Sequence, residues 1–267
     1  MLTGGNVAAA VVRVGDTVRK PWTRATPSVH AFLGHVAGLP FVPRVLGRDA
    51  SGRQILEYVP GTSADALPPM TLEELGRLGR MVRSLHDASA GFVPPAGAVW
   101  DVAIPPDGAD LVCHQDLAPW NLIRDGGAAT QPGLTVGSAA TQPGLTVGGV
   151  ERWTFIDWDA AAPGTRLWDL AYAAQTFAPL VGGGDPAVDG PRLRAVVDGY
   201  DLGGEDRRRL PAVLTARTRA MYDLLERGSR SGAVPWARLW DEGHGVHWGA
   251  AADYVEAHGP VWRRWLS

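Results

Sequence analysis

His114, Asp116 and Asn121 stand within CHQDLAPWNLI, residues 113–123, between two apolar flanks. An aspartate held near a divalent cation can orient a hydroxyl and accept its proton as a phosphoryl group moves. An asparagine oxygen can bind Mg²⁺ without adding charge. A second acid, on a neighbouring strand, can bridge that metal to the β- and γ-phosphates. The spacing here is H-x-D-x-x-x-x-N, a pattern that serves this chemistry, and Asp157 in FIDWD offers the second acid. Hard oxygen ligands of this kind favour Mg²⁺ over softer metals.

Such a loop needs elements to hold it. Ahead of it, VAAAVVRVGDTVRKPW reads as a hairpin turning at Gly15-Asp16. Alternation puts Val18 and Lys20 on one face of its second strand and Arg19 on the other. PSVHAFLGHVAGL reads as a short helix, with Pro27 early, Val29, Phe32, Leu33 and Val36 on one face, and Gly38 at the end. RVLGRDASGRQILEYVPG is a second hairpin turning at Asp49 to Gly52. These make a small α+β lobe over residues 1–61. From Thr71 the pattern is helical. Thr71 and Glu74 form a capping box, and Leu72, Leu75, Leu78, Met81, Val82 and Leu85 follow helical spacing. A short strand, the loop and another short strand come next. RWTFIDWDA is a strand ending in acids, and TRLWDLAYAAQTFAPLV an amphipathic helix. Further helices are expected at 191–201, 205–227, 235–242 and 246–257. The expected fold class is therefore α+β and bilobal, a β-rich lobe followed by a larger helical one over 62–267.

Composition narrows the partners. The chain has 267 residues, 45% hydrophobic and 20% charged, as in a globular protein. The net charge of −3 gives no reason to expect nucleic acid, and no apolar run approaches the roughly 18 residues that span a bilayer. No basic segment precedes the first apolar run, so a secretory signal is not expected. Cys113 is the single cysteine, which excludes an internal disulfide and a cysteine zinc site; a reducing cytoplasm is the expected setting. Lys20 is the single lysine among 25 basic residues. Residues 128–149 hold two tandem near-copies, AATQPGLTVGS and AATQPGLTVGG. Two copies are too few for a repeat architecture. The insertion over 127–150 reads as a flexible surface loop, with a substrate lid as the sharper alternative.

HQDLAPWNL, FIDWDAAAPGTRLWDLAYAA and ILEYVPG, in this order of parts, resemble the aminoglycoside phosphotransferase family. That family comprises small-molecule kinases, choline-kinase-like members included, with a protein-kinase-like fold. The resemblance runs over roughly residues 3–260. It implies transfer of the γ-phosphoryl group of ATP or GTP to a hydroxyl of a small molecule, an aminoglycoside-like antibiotic among the candidates. It implies Asp116 as the catalytic aspartate, Asn121 and Asp157 as Mg²⁺ ligands, and His114 as a brace for the loop. Asp169 would fix the backbone of the site. Lys20 or Arg19 would contact the phosphates, Lys20 being preferred, and Glu57, Tyr58 and Val59 would form a hinge pairing with the adenine edge. Two positions depart from the family pattern. Only Met1, Leu2 and Thr3 precede Gly4-Gly5, and the helix position that usually carries a glutamate for the phosphate-binding lysine is Val29, with His30 beside it.

Other readings stand beside these. A kinase-shaped binding or immunity protein with little or no turnover is the alternative to an enzyme. Asp159 is either an acid supporting the metal ligands or a cap. His86 reads as a helix-end residue favoured by the helix dipole, and Cys113 as a small buried apolar side chain. The aromatic C-terminal stretch around Trp236 and Trp240 has core spacing, with binding of a cationic substrate as the second option.

Overall fold

The computed structural model of the chain describes residues 11–126 and 151–267. The Gly4-Gly5 turn and the tandem copies at 128–149 lie outside the described residues. The first hairpin joins β1 (Val12–Val14) to β2 (Thr17–Lys20) through Gly15, whose φ of 58° a residue without Cβ adopts at no cost. Helix α1 (Thr26–His35) follows, then β3 (Val45–Arg48) and β4 (Gln54–Glu57). The four strands form one antiparallel sheet in the order β1-β2-β4-β3. Val29, Phe32 and Leu33 of α1 are buried.

The larger lobe begins with β5 (Thr62–Ser63) and α2 (Leu72–Ser89). The capping box is present: Thr71 Oγ1 accepts from the Glu74 amide at 3.2 Å, and Glu74 Oε2 accepts from the Thr71 amide at 2.7 Å. Such a cap stabilises a helix by about 1 kcal/mol. Strand β6 (Leu111–Cys113) leads into the motif loop, and β7 (Leu122–Asp125) leaves it. Strand β8 (Arg152–Phe155) pairs antiparallel with β7, Leu122 opposite Phe155, and β9 (Ala162–Gly164) pairs with β6. Five helices follow: α3 (Arg166–Phe177), α4 (Pro186–Tyr200), α5 (Gly204–Ser231), α6 (Trp236–Asp241) and α7 (His244–Ala257). The chain ends on α8 (Gly259–Leu266).

One apolar core runs from Phe32 of α1 through α2, α3 and α4 to Trp262 of α8. A smaller one, built on Ala118, Tyr172, Leu225, Leu239 and Trp248, backs the motif loop, and Trp236 and Trp240 pack against it. The core reading of those two tryptophans therefore holds. Helices α2 and α4 cross closely. A Cβ on Gly79 would lie 2.2 Å from the Val196 carbonyl oxygen, and one on Gly199 would lie 2.1 Å from that of Gly76. Only glycine fits there, and the close crossing brings His86 of α2 against Tyr200 of α4.

The architecture is the bilobal one expected, with local differences. Helix α4 starts before residue 191, because Asp185 caps it: its Oδ1 accepts from the Ala187 amide at 2.8 Å. Pro191, which reads as a helix start, sits inside. Strands β5 and β9 and helix α8 were not expected; two- and three-residue strands carry too little alternation to be read. Among the described residues, no helix is long and apolar enough to cross a membrane.

Candidate active site

Each motif side chain occupies a turn just beyond a strand end. His114 follows β6, is wholly buried and is fixed from both sides. Its Nε2 lies 3.1 Å from the Ile156 carbonyl oxygen and its Nδ1 3.3 Å from the Asp116 amide. A carbonyl can only accept and an amide can only donate, so the ring is the neutral tautomer with its proton on Nε2. Burial agrees, holding His114 below the ordinary histidine value despite Asp169, Asp116 and Asp157 nearby.

Gln115 takes a left-handed φ of 68°, which turns the chain sharply before Asp116. Asp169 holds that turn. Its Oδ1 accepts from the Gln115 amide at 2.8 Å and its Oδ2 lies 3.0 Å from His86 Nε2. His86 Nδ1 in turn meets the Tyr200 hydroxyl at 2.8 Å. Burial alone would raise Asp169, but His86, His114 and the Gln115 amide outweigh it and hold the carboxyl below its usual value. His86 is fully buried. It is therefore a core partner of Asp169 as well as the last-turn residue of α2 that the sequence suggests, because α4 covers that face. Cys113 lies beside this pair, and burial pushes its thiol well above the usual range, as expected of a small apolar residue.

Asp116 and Asn121 touch. Asn121 Nδ2 donates to the Asp116 carboxylate at 2.8 Å and to its backbone carbonyl at 3.0 Å. With both amide hydrogens committed, the Asn121 side-chain oxygen is the atom left to face a cation. Burial raises Asp116 above the ordinary carboxylate value; His114 opposes this and Asp157 adds to it. The Tyr172 side chain of α3 is buried near the same carboxylate. Behind it, Arg217 of α5 lies 4.1 Å over the Tyr172 ring and donates to the Gln115 carbonyl at 3.2 Å.

Asp157 stands at the end of β8 in the left-handed region, φ 61° and ψ 62°. The Ile156 amide donates to the Asn121 carbonyl at 2.9 Å, so the two expected metal ligands sit at adjacent ends of one hairpin. Two oxygen donors so placed, one charged and one neutral, fit a small hard cation.

Lys20 reaches this group from the other lobe. Its Nζ lies 2.6 Å from Asp157 Oδ1 and 2.6 Å from Asp159 Oδ2, with the residue 5% exposed. Burial would lower its pKa, but the two carboxylates overcome that and raise it. Arg19 points to the other face, where it pairs with Asp49 at 3.6 Å. Of the two basic candidates, only Lys20 meets the acids. Val29 is buried in the core, and His30 beside it meets Gln54 Oε1 at 3.1 Å. Gln54 also donates to Asp159 Oδ1 at 3.2 Å. The second carboxylate on the lysine thus comes from the turn after β8, where α1 offers no acid. The cap reading of Asp159 falls away: the N-cap position there belongs to Asp157, with no side-chain cap bond.

The hinge is only partly available. The Tyr58 amide donates to the Asp16 carbonyl at 3.0 Å and the Glu57 amide to the Arg44 carbonyl at 2.9 Å. The Glu57 carboxylate turns to the Arg44 amide at 3.0 Å. Neither of these two amides is free to donate, so a hinge pairing with adenine would use other backbone groups of Glu57 to Val59. The Val59 amide has no protein partner among the described residues.

A four-stranded lobe over a helical one, with the Asp116–Asn121 turn and the Asp157 strand end facing a lysine across the gap, is a protein-kinase-like fold. A microcompartment-associated aminopropanol kinase superposes with a TM-score of 0.60 at 17% identity, over 96% of this chain and 90% of that one. An amicoumacin kinase solved with AMP-PNP and Ca²⁺ superposes with a TM-score of 0.57 at 11% identity, over 93% and 88%. No family model matches the chain. In sequence it is similar to the trifolitoxin immunity protein of Rhizobium leguminosarum bv. trifolii, 28% identical over 262 residues, 90% of each chain.

Proposed function

We propose that the protein transfers the γ-phosphoryl group of ATP or GTP to a hydroxyl of a small molecule. The observation that carries this reading is the meeting of Asp116 and Asn121 at 2.8 Å with Asp157 and Lys20 at 2.6 Å across the two lobes. In the proposed step the acceptor oxygen bonds to the γ-phosphorus as the bond to the β–γ bridging oxygen breaks. The nucleoside diphosphate leaves with that oxygen, and the hydroxyl proton passes to Asp116. Asn121 orients the carboxylate that takes it. Asn121 and Asp157 would hold Mg²⁺, which when bound neutralises charge on the β- and γ-phosphates. Lys20 would release Asp157 and turn to phosphate oxygens, with Asp159 keeping it in line. The Val59 amide would meet the adenine or guanine edge. Such sites work by positioning and charge stabilisation.

The role that fits the similarity to an immunity protein is protection against a toxic small molecule, through phosphorylation of its hydroxyl. A second reading keeps the protection and drops the turnover. It is favoured by Val29 at the usual glutamate position and by a lysine already held between two acids. One experiment separates them. Nucleotide hydrolysis and transfer are followed over a panel of hydroxyl compounds with ATP or GTP and Mg²⁺, in wild type and Asp116→Asn. Transfer that vanishes in the variant supports the enzyme. Nucleotide binding without transfer to any compound supports the binding protein.

A further inference from the structure

A cavity of ≈170 Å³ lies against the outer side of the catalytic turn. One wall is Trp120, 44% exposed, which falls between Asp116 and Asn121 in the chain. Another is Trp248 of α7, stacked on Tyr172 at 6.1 Å and 17°, and Tyr172 is buried near Asp116. Thr176 lines the cavity as well, its hydroxyl donating to the Leu117 carbonyl at 3.0 Å. Three separate walls therefore connect to Asp116 or its chain neighbour. The position is that of a subsite for the molecule whose hydroxyl Asp116 would serve, so this inference rests on the transfer reading for its meaning.

The chemistry of the lining is specific. None of the lining residues is acidic; Pro179 and Val181 extend the apolar surface. His247 is held below the ordinary histidine value by burial and by His244, and so adds no charge near neutral pH. Gln175 is 3% exposed, and its Nε2 donates to the Leu180 carbonyl at 3.1 Å. Its Oε1 has no partner among the described residues. A buried amide oxygen without a donor is costly, and Gln175 lines the cavity, so a small turn of this side chain would open its oxygen to an incoming N–H. A dry apolar cavity of about 150 Å³ accommodates a benzene ring. A polycation would bring ammonium groups against this surface with no carboxylate to meet them.

We propose that this cavity receives one uncharged apolar group, about the size of a phenyl ring, from the acceptor, while an N–H of the acceptor donates to Gln175 Oε1. The acceptor class is then an amide- or amine-bearing alcohol with an aromatic or branched apolar substituent, and aminoglycosides fall outside it.

The test uses the full chain and four probes: N-acetylphenylalaninol, N-acetylalaninol, N-methyl-N-acetylphenylalaninol and kanamycin. Binding is read by calorimetry in wild type, Trp120→Ala and Asp116→Asn, and transfer from ATP is read separately. The phenyl probe is expected to bind about tenfold or more tighter than the alaninol, as burial of a ring implies. N-methylation is expected to cost about fivefold or more, as loss of a hydrogen bond implies. Trp120→Ala should erase the ring preference, and Asp116→Asn should keep it. Equal binding of phenyl and methyl probes, a preference that survives Trp120→Ala, or tighter binding of kanamycin overturns the proposal. A ring preference with no phosphate moved to any probe leaves the subsite standing and counts against transfer. Phosphate moved to kanamycin without any ring preference does the reverse.

Discussion

The two sides of the cleft are held by different means. The Asp116 side is fixed from beneath by a chain of buried bonds: Tyr200 to His86, His86 to Asp169, Asp169 to the Gln115 amide, and His114 to the Asp116 amide. None of these atoms needs to move when ligands arrive. The Lys20 side is fixed by its own functional groups, because Asp157 and Asp159 occupy the ammonium that the phosphates would take. One side is therefore a preformed mould, and on the proposed function the other would exchange partners on binding. Mutations should tell the sides apart by whether activity and stability fall together.

The largest effect is expected at Asp116. Asp116→Asn keeps the shape and should lower kcat by about 10²–10⁴-fold, with a melting temperature within a few degrees of wild type. Transfer assays and thermal melts check both halves; undiminished kcat would remove Asp116 from the chemistry. Next comes the buried chain. Asp169→Ala leaves His86 and the Gln115 amide without their acceptor and should cost about 3–5 kcal/mol of stability, read by urea unfolding. A loss below about 1 kcal/mol would make the mould an illusion. On the other side, Lys20→Met should weaken nucleotide binding roughly tenfold, as loss of one charge-assisted hydrogen bond implies. Its melting temperature should change less than that of Asp169→Ala. Calorimetry with ATP and Mg²⁺ decides this, and unchanged affinity would contradict the exchange of partners.

The smallest effect is one of pH. His114 is held neutral in the fold, below its ordinary value of 6.5. The unfolded chain therefore takes up the proton first as pH falls, and stability drops as pH goes down through 6.5 towards the folded value. Unfolding at pH 7.5 and 5.5 should show this slope, and His114→Asn should flatten it. An equal slope in the variant would assign the acid sensitivity elsewhere.

What could be read ahead of the structure follows from distance along the chain. The H-x-D-x-x-x-x-N spacing is local, so the loop and its Asp116–Asn121 contact were legible. The hairpin at Gly15-Asp16 and the box at Thr71 and Glu74 are local too. The partners of Lys20 were only half legible. Asp157 follows from the motif, but Asp159 comes from the same turn only because Gln54 and Lys20 lie opposite each other in the β2–β4 register. The burial of His86 was not legible, because it depends on the glycine-tight crossing of α2 and α4, which no spacing within α2 reveals. That the Tyr58 amide is already taken was not legible for a similar reason. Its partner, the Asp16 carbonyl, belongs to a different strand pair. Gln175 and Trp120 carried no sequence signal as a pair, being brought together by α3 packing under the loop.

Lys20 is the only lysine in the chain, and it sits where the lobes meet. Any reagent that acylates side-chain amines can therefore label one position here, and only while the carboxylates have let go of it. The rate of that labelling, read at Lys20 itself and apart from the chain's α-amine, becomes a clock for opening, readable with no substrate in hand. A nucleotide that seats its phosphates on the amine would stop the clock.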